Sequence, residues 1–416
     1  MKHNERFSGD RERRILLIDF MYPLPEDMGR RMRTMNFVRY FKRFGAVDIL
    51  YFIEESKEVE GQGYFRKEHY IRHPSRRKSG EVRFHKRVAG RARRVWEKRP
   101  WLITDWSDQA LVEYLAVVEE GKYDIIFCRY IRDTYPLFHL AENRRAKVII
   151  DFDDLYSGSL FERYSGNHEH LFSRTKTSLQ KYFLSRYEQK CLGFGAAFFT
   201  TRADQEKVVG TGRKDKTFVI PNTYPSSRSY PDGDDSGFHR RDTILFLGVL
   251  NYGPNVDGLK WFIETIFRPV HQRDNIRLLV VGRQPTPEVE TLCGSTSGIE
   301  LHSDVPDVTP FYERCGIVVV PILTGGGTRI KILEAGMACR AVLSTPMGAA
   351  GLDVAHGKDL FLFTNQETFL EGCDQLSRKD VYDRIVRNMR NLVDQTYSPE
   401  SFDRKMAEAI RPFMKQ

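Results

Sequence analysis

Thr324–Ala338 reads TGGGTRIKILEAGMA and follows the apolar run Ile317–Pro321, IVVVP. The run is short, β-branched and bounded by turn residues, which predicts a buried strand. Gly325, Gly326 and Gly327 let the backbone pass close to a ligand. Thr328 leads into a helix whose first turn offers unpaired N–H groups and a partial positive charge. These are the requirements for holding a pyrophosphate. Arg329 and Lys331 add two full positive charges at a helix start, where the dipole disfavours them, so a bound anion is the natural reason for their presence. Glu334 lies one turn further on, where its carboxylate can accept hydrogen bonds from a pair of ribose hydroxyls.

Outward from this stretch, strand-like runs alternate with helical segments. Thr243–Gly248, Ile276–Gly282, Ile299–His302, Ile317–Pro321, Ala341–Ser344 and Asp359–Phe363 are predicted strands, with a helix over Asn255–Val270. Arg14–Phe20, Val47–Phe52, Tyr123–Cys128, Lys147–Asp151, Ala197–Thr200 and Thr217–Ile220 form an earlier series. Alternation of this kind predicts α/β units with mostly parallel sheets covered on both faces. Between the series, Tyr224–Arg241 is polar, turn-rich and aperiodic, as a linker is. The expected organisation is a first domain over 1–223, a linker over 224–241, a second domain over 242–396 and a C-terminal helix over 397–416 returning to the first. Two such units can place the carboxyl ends of both sheets at a shared cleft.

The chain has 416 residues, too many for one ordinary core. No apolar run approaches the ~20 residues that span a bilayer. Met1–Arg14 is polar and charged, which predicts no secretory leader. The six cysteines are widely spaced, which argues against a zinc site or disulfide framework and for reduced thiols in the cytoplasm. Of the net charge of +9, the segment 66–99 carries +11, from 14 Lys or Arg against three acidic residues. The rest of the chain is therefore near neutral, and the block predicts contact with an anionic surface or ligand. Apolar residues interleave with the charges, so the inner face of a membrane ranks first. No aromatic RNA-binding motif accompanies the block, so nucleic acid is not expected.

GGGTRIKILEAGMA, with LGVLNYGPNVDGLKWF (Leu247–Phe262), VVGRQP (Val280–Pro285), SDVPDVTPFY (Ser303–Tyr312) and GAAGLDVAHGKDLFL (Gly348–Leu362), resembles the retaining glycosyltransferases of family 4. Looser matches are YPLPEDMGRRMRTMNF, DFDDLYS and VIPN, the last ending at Asn222. The resemblance implies a GT-B fold, two Rossmann-like domains facing across a cleft. It also implies transfer of a sugar from a UDP- or GDP-sugar to a glycan, lipid-linked or protein acceptor, with no cofactor and no metal. Donor-binding residues carried by it are Gly326, Gly327, Thr328, Arg329, Lys331, Glu334, Asn222 and Gly248. Arg329 and Lys331 are the candidate catalytic pair, as preorganised positive charge for the departing diphosphate. Asp27, Gly29, Arg30, Arg33 and Asp153 are candidates for the acceptor side.

The sequence also departs from that family. Glu334 matches the second of two glutamates eight positions apart, but Gly326 stands at the first. No Arg–Lys pair follows Gly248, and CRYIRD (Cys128–Asp133) stands where many relatives carry a His. The motif helix ends in Cys339 and Ala341 rather than Gly and Pro, and Gly336 interrupts it at a cost of ~1 kcal/mol. Asp151-Phe152-Asp153 is formally a DxD but is not read as a metal site. Rival readings are a nucleotide-sugar epimerase and an inactive chain of the same fold that binds a membrane or another anionic partner.

Overall fold

The computed structural model describes residues 12–26, 29–53, 63–72, 100, 103, 106–158, 171–210 (171–177 by backbone alone), 212, 215–224, 237–324 and 329–414. The chain divides into two compact units. One comprises Met1–Ile220 with Asp403–Gln416 and the other Pro221–Phe402.

The first unit is built on a parallel seven-stranded sheet. Its strands are β1 (Arg13–Ile18), β2 (Gly45–Ile53), β3 (Glu68–Arg72), β4 (Ile125–Cys128), β5 (Val148–Phe152), β6 (Ala196–Phe199) and β7 (Thr217–Val219), in the order β3-β2-β1-β4-β5-β6-β7. Their apolar runs are explained by burial on both faces. Leu16, Ile18, Ile126, Ile150 and Phe152 share one face with Tyr114 and Val118 of the helix Asp108–Glu120. On the other side, Phe37 of the helix Gly29–Phe41 lies 4.5 Å from Phe127, ring to ring.

The start of the basic block 66–99 includes the strand β3 at the edge of the sheet. Its residues Glu68–Arg72 pair in register with Ile49–Ile53, and only Ile71 is buried. The rest of that block, 73–99, lies outside the described residues, as does 225–236 of the expected linker. The last helix, Pro399–Met414, begins in the second unit, and from Asp403 its residues belong to the first. There Asp403 pairs with Arg43 at 2.7 Å and the Met414 carbonyl accepts from Arg13 at 3.0 Å.

The second unit carries a parallel six-stranded sheet of β8 (Thr243–Val249), β9 (Arg277–Arg283), β10 (Ile299–Ser303), β11 (Ile317–Val320), β12 (Ala341–Ser344) and β13 (Phe361–Leu362), ordered β10-β9-β8-β11-β12-β13. Alternate residues feed two cores. Ile244, Phe246, Val280 and Val319 point to one side, and Leu245, Leu247, Val281 and Val320 to the other.

Two local features differ from expectation. The helix predicted over Asn255–Val270 starts at Gly253, widens over Ile263–Phe267 and continues as Arg268–Asp274. Pro269 explains the wide turn, because it has no N–H to donate and its ring displaces the preceding carbonyl. Gly336 is not an idle interruption of its helix. A Cβ there would sit 3.0 Å from Met389 and Val393 of the helix Lys379–Thr396, so the glycine lets these two helices pack closely. Cys339 ends that helix at φ +53°, in the left-handed region where glycine is usual. Among the described residues no helix is long and apolar enough to cross a membrane.

Candidate functional site

In an open parallel sheet, ligands bind beyond the carboxyl ends of the strands where the winding direction reverses. In the second unit that point lies between β8 and β11, since β9 and β10 extend one way and β12 and β13 the other. The helix after β8 (Gly253–Phe262) and the helix after β11 (Ile330–Met337) both start there. Lys331 and Asn255 meet across it, with Lys331 Nζ donating to Asn255 Oδ1 at 3.2 Å. Asn255 in turn donates from Nδ2 to the Val249 carbonyl at 3.0 Å. Gly248 makes this possible, because a Cβ on it would come within 2.8 Å of the Asn255 amide. Gly248 thus acts by admitting Asn255.

Arg329 is the N-cap of the helix Ile330–Met337, and Glu334 is buried one turn on. The Tyr312 hydroxyl donates to Glu334 Oε2 at 3.5 Å. Lys331 also lies over the Phe246 ring at 5.1 Å. Burial, followed by the charge of Arg329, pulls its ammonium down to about 7, with Glu334 opposing. An anion placed beside it would reverse this balance by pairing with the charged form. Gly326, Gly327 and Thr328 lie outside the described residues. Asn222 is buried near the start of the second unit.

A measurable consequence follows for pH. The pyrophosphate diester of a nucleotide sugar stays ionised from pH 6 to 9, whereas free Lys331 loses its proton through about 7. If this site takes a nucleotide sugar, its affinity is highest below pH 7 and falls by up to about tenfold per unit above it, with proton uptake on binding. Calorimetry at pH 8 in buffers of different ionisation enthalpy reads that uptake. Lys331→Arg, always charged, abolishes the pH dependence.

The first unit has its own reversal point, between β1 and β4. Asp19 follows β1 and Arg129 follows β4, and the two stand 4.0 Å apart. Asp151 and Asp153 come from the end of β5, and Arg33 and Thr34 from the helix Gly29–Phe41. Arg33 grips Asp151 with two bonds, at 2.6 and 3.0 Å, and donates to the Ile220 carbonyl at 2.8 Å. Arg129 pairs with the same carboxylate and donates to Thr34 Oγ1 at 2.8 Å, while Thr34 lies 2.8 Å from Asp19. Burial pushes Asp19 up to about 6, against the pull of Arg129 and the Thr34 hydroxyl.

Arg33, a candidate for the acceptor side, is enclosed in this cluster. It is 2% exposed and engaged from within. Asp151 and Asp153 both face arginines and form part of an ion-pair core. Among the described residues no group of three or more His, Cys, Asp or Glu is placed to hold a metal ion. Arg30 is exposed, with its guanidinium 5.9 Å from the Phe20 ring. Gly29 is the first residue of its helix, and Asp27 lies outside the described residues. Sequence reasoning missed Asn255 and Asp19. Their shared signal is a polar residue at the carboxyl end of a buried strand or on the helix turn just beyond it.

Residues 241–379 match the family model described as glycosyl transferases group 1. An uncharacterised 44.6 kDa protein in the cps region of Klebsiella pneumoniae is 24% identical over 172 residues, 39% of this chain and 43% of that protein, so the match spans less than half of that relative. Among solved structures, sucrose-phosphate synthase from Thermosynechococcus elongatus superposes with a TM-score of 0.67 at 14% identity, covering 97% of this chain and all of that one. HepE of Anabaena, solved with UDP, gives 0.63 at 13% identity, over 96% and 100%. WaaG, a glycosyltransferase involved in lipopolysaccharide biosynthesis, gives 0.58 at 15% identity, over 95% and 99%. These likenesses show the fold, GT-B, with its two Rossmann-like units.

Proposed function

We propose that the chain transfers a sugar from a nucleotide-diphosphate sugar to a hydroxyl of a glycan or lipid-linked acceptor, with retention and without a metal ion. The observation that carries this reading is the Lys331–Asn255 contact at the reversal point of the second sheet, beside the N-cap Arg329 and the buried Glu334. The family match covers the same region. Arg329, Lys331 and the first N–H groups of the helix Ile330–Met337 stabilise the charge that develops on the departing diphosphate. Glu334 takes the ribose hydroxyls. Asn255 holds Lys331 in place until the diphosphate arrives. UDP is the first nucleotide to test, since HepE was solved with it. The acceptor belongs to the first unit, whose segment 66–99 has the charge to meet an anionic lipid surface.

The test is a thermal-shift screen of the whole chain against UDP-, GDP-, ADP- and TDP-sugars. A ligand at a hundred times its Kd that binds only the folded state adds about 2.7 kcal/mol. One nucleotide class raises the melting temperature by several degrees, and no shift with any of them refutes the donor assignment.

A further inference from the structure

The charge cluster at the reversal point of the first sheet has an internal order that points to one of its members. Asp151 is held tightly, since both its oxygens accept short contacts from Arg33 and one also accepts from Arg129, and it is wholly buried, out of reach of a ligand. Asp19 is occupied by Thr34, and its side chain is 3% exposed. Asp153 differs. Its side chain is 13% exposed, and its contacts are longer: Arg33 Nε at 3.4 Å from Oδ1, and Tyr130 Oη at 3.2 Å and Arg129 Nη2 at 3.4 Å from Oδ2. A carboxylate has about four lone-pair sites, so three long contacts leave Asp153 able to accept another hydrogen bond. Burial pushes its pKa up, but Arg129, Arg33, Arg30 and the Tyr130 hydroxyl together hold it below the ordinary carboxylate value. Asp153 is thus an ionised, oriented and partly open acceptor at a ligand-binding position of the fold.

We infer that Asp153 receives the acceptor's attacking hydroxyl as a hydrogen-bond donor, and that Arg33, Arg129 and Tyr130 are positioning residues that aim its carboxylate. This assignment rests on the glycosyl transfer proposed above. In the reaction the hydroxyl oxygen bonds to the anomeric carbon as the bond from that carbon to the diphosphate oxygen breaks. The diphosphate leaves with the electron pair and takes up the hydroxyl proton, so Asp153 ends the cycle ionised as it began. Its contribution is orientation, the part of catalysis that fixes a nucleophile in line before the bond forms.

Slow hydrolysis of the donor, with water in the acceptor's place, tests this without a known acceptor. The probes are the nucleotide sugar selected by the thermal screen and the full chain carrying Asp153→Asn, Asp153→Glu or Tyr130→Phe. Asp153→Asn lowers the hydrolysis kcat by about 10²-fold, the cost of a misplaced nucleophile, and leaves donor KM within twofold. Asp153→Glu restores part of the rate. Tyr130→Phe, which leaves every buried charge paired, lowers kcat several-fold at constant KM. A folded Asp153→Asn chain that hydrolyses donor within threefold of wild type overturns the inference, as does loss of donor affinity in step with rate. Should Asp153→Asn fail to fold, an unchanged kcat in Tyr130→Phe overturns it. A wild-type chain that neither binds nor hydrolyses any nucleotide sugar overturns the glycosyl-transfer reading and the inference with it, and donor binding separates that case from the others.

Discussion

The Arg329→Ala/Lys331→Ala chain loses nucleotide-sugar affinity by about 10²- to 10⁴-fold, since each charge-assisted contact contributes about 1.5–3 kcal/mol. It nevertheless stays folded. The reason lies in the apo protein, where Lys331 is a desolvated cation beside a second cation and is pulled from 10.5 to about 7. The folded state therefore binds fewer protons than the unfolded state between about pH 7 and 10.5. In that window the lysine's contribution to stability rises with pH, and below it the charged form is a burden on the fold. Removing the side chain lifts that burden, so the melting temperature at pH 7 holds or rises while binding collapses. Calorimetric titration and a thermal melt on one preparation read both effects. A variant that binds normally, or that unfolds, contradicts the account.

Asp151→Ala acts in the opposite way, through stability. Arg33 and Arg129 both converge on this carboxylate inside the first unit, and all three side chains are at most 1% exposed. Breaking a buried pair by deleting one partner costs about 3–5 kcal/mol, because the remaining charge stays desolvated. For a unit of this size that is on the order of 10 °C in melting temperature. Arg33→Met/Asp151→Leu, which removes charge from both sides and fills the space with apolar atoms, recovers part of the loss. Urea unfolding followed by tryptophan fluorescence measures both variants. An Asp151→Ala loss below 1 kcal/mol rules out the ion-pair core.

The same two regions show what could be read from the residues and what could not. The strands of the second unit are legible because both faces of the sheet are covered, so TILFLG and IVVV are continuous apolar runs with no competing reading. The strand Glu68–Arg72 is not legible, because an edge strand with one buried residue inside a charged block looks like solvated chain. Lys331, Arg329 and Glu334 stand out since a helix start with two cations is odd without an anion. Asn255 does not stand out, because a polar residue on the first turn of a helix is unremarkable until Lys331 is seen against it. The cluster of the first unit is hidden for a third reason. Charged residues are ordinarily assigned to the surface, and Arg33 meets Asp151 across 118 positions of chain. That Asp19, Arg129 and Asp153 each directly follow a buried strand is visible in the text. That arginines bind them together there is a fact of the fold.

The central claim, sugar transfer from a nucleotide donor, is tested most directly by proton NMR of the wild-type chain with the nucleotide sugar that the thermal screen selects and a panel of octyl glycosides. The account predicts stoichiometric nucleotide diphosphate and a new glycoside whose anomeric proton has the configuration of the donor. A new glycoside of inverted configuration contradicts the proposed retention. Conversion of the donor to an epimer, or an intact donor after prolonged incubation with a chain that binds it, contradicts the transfer itself.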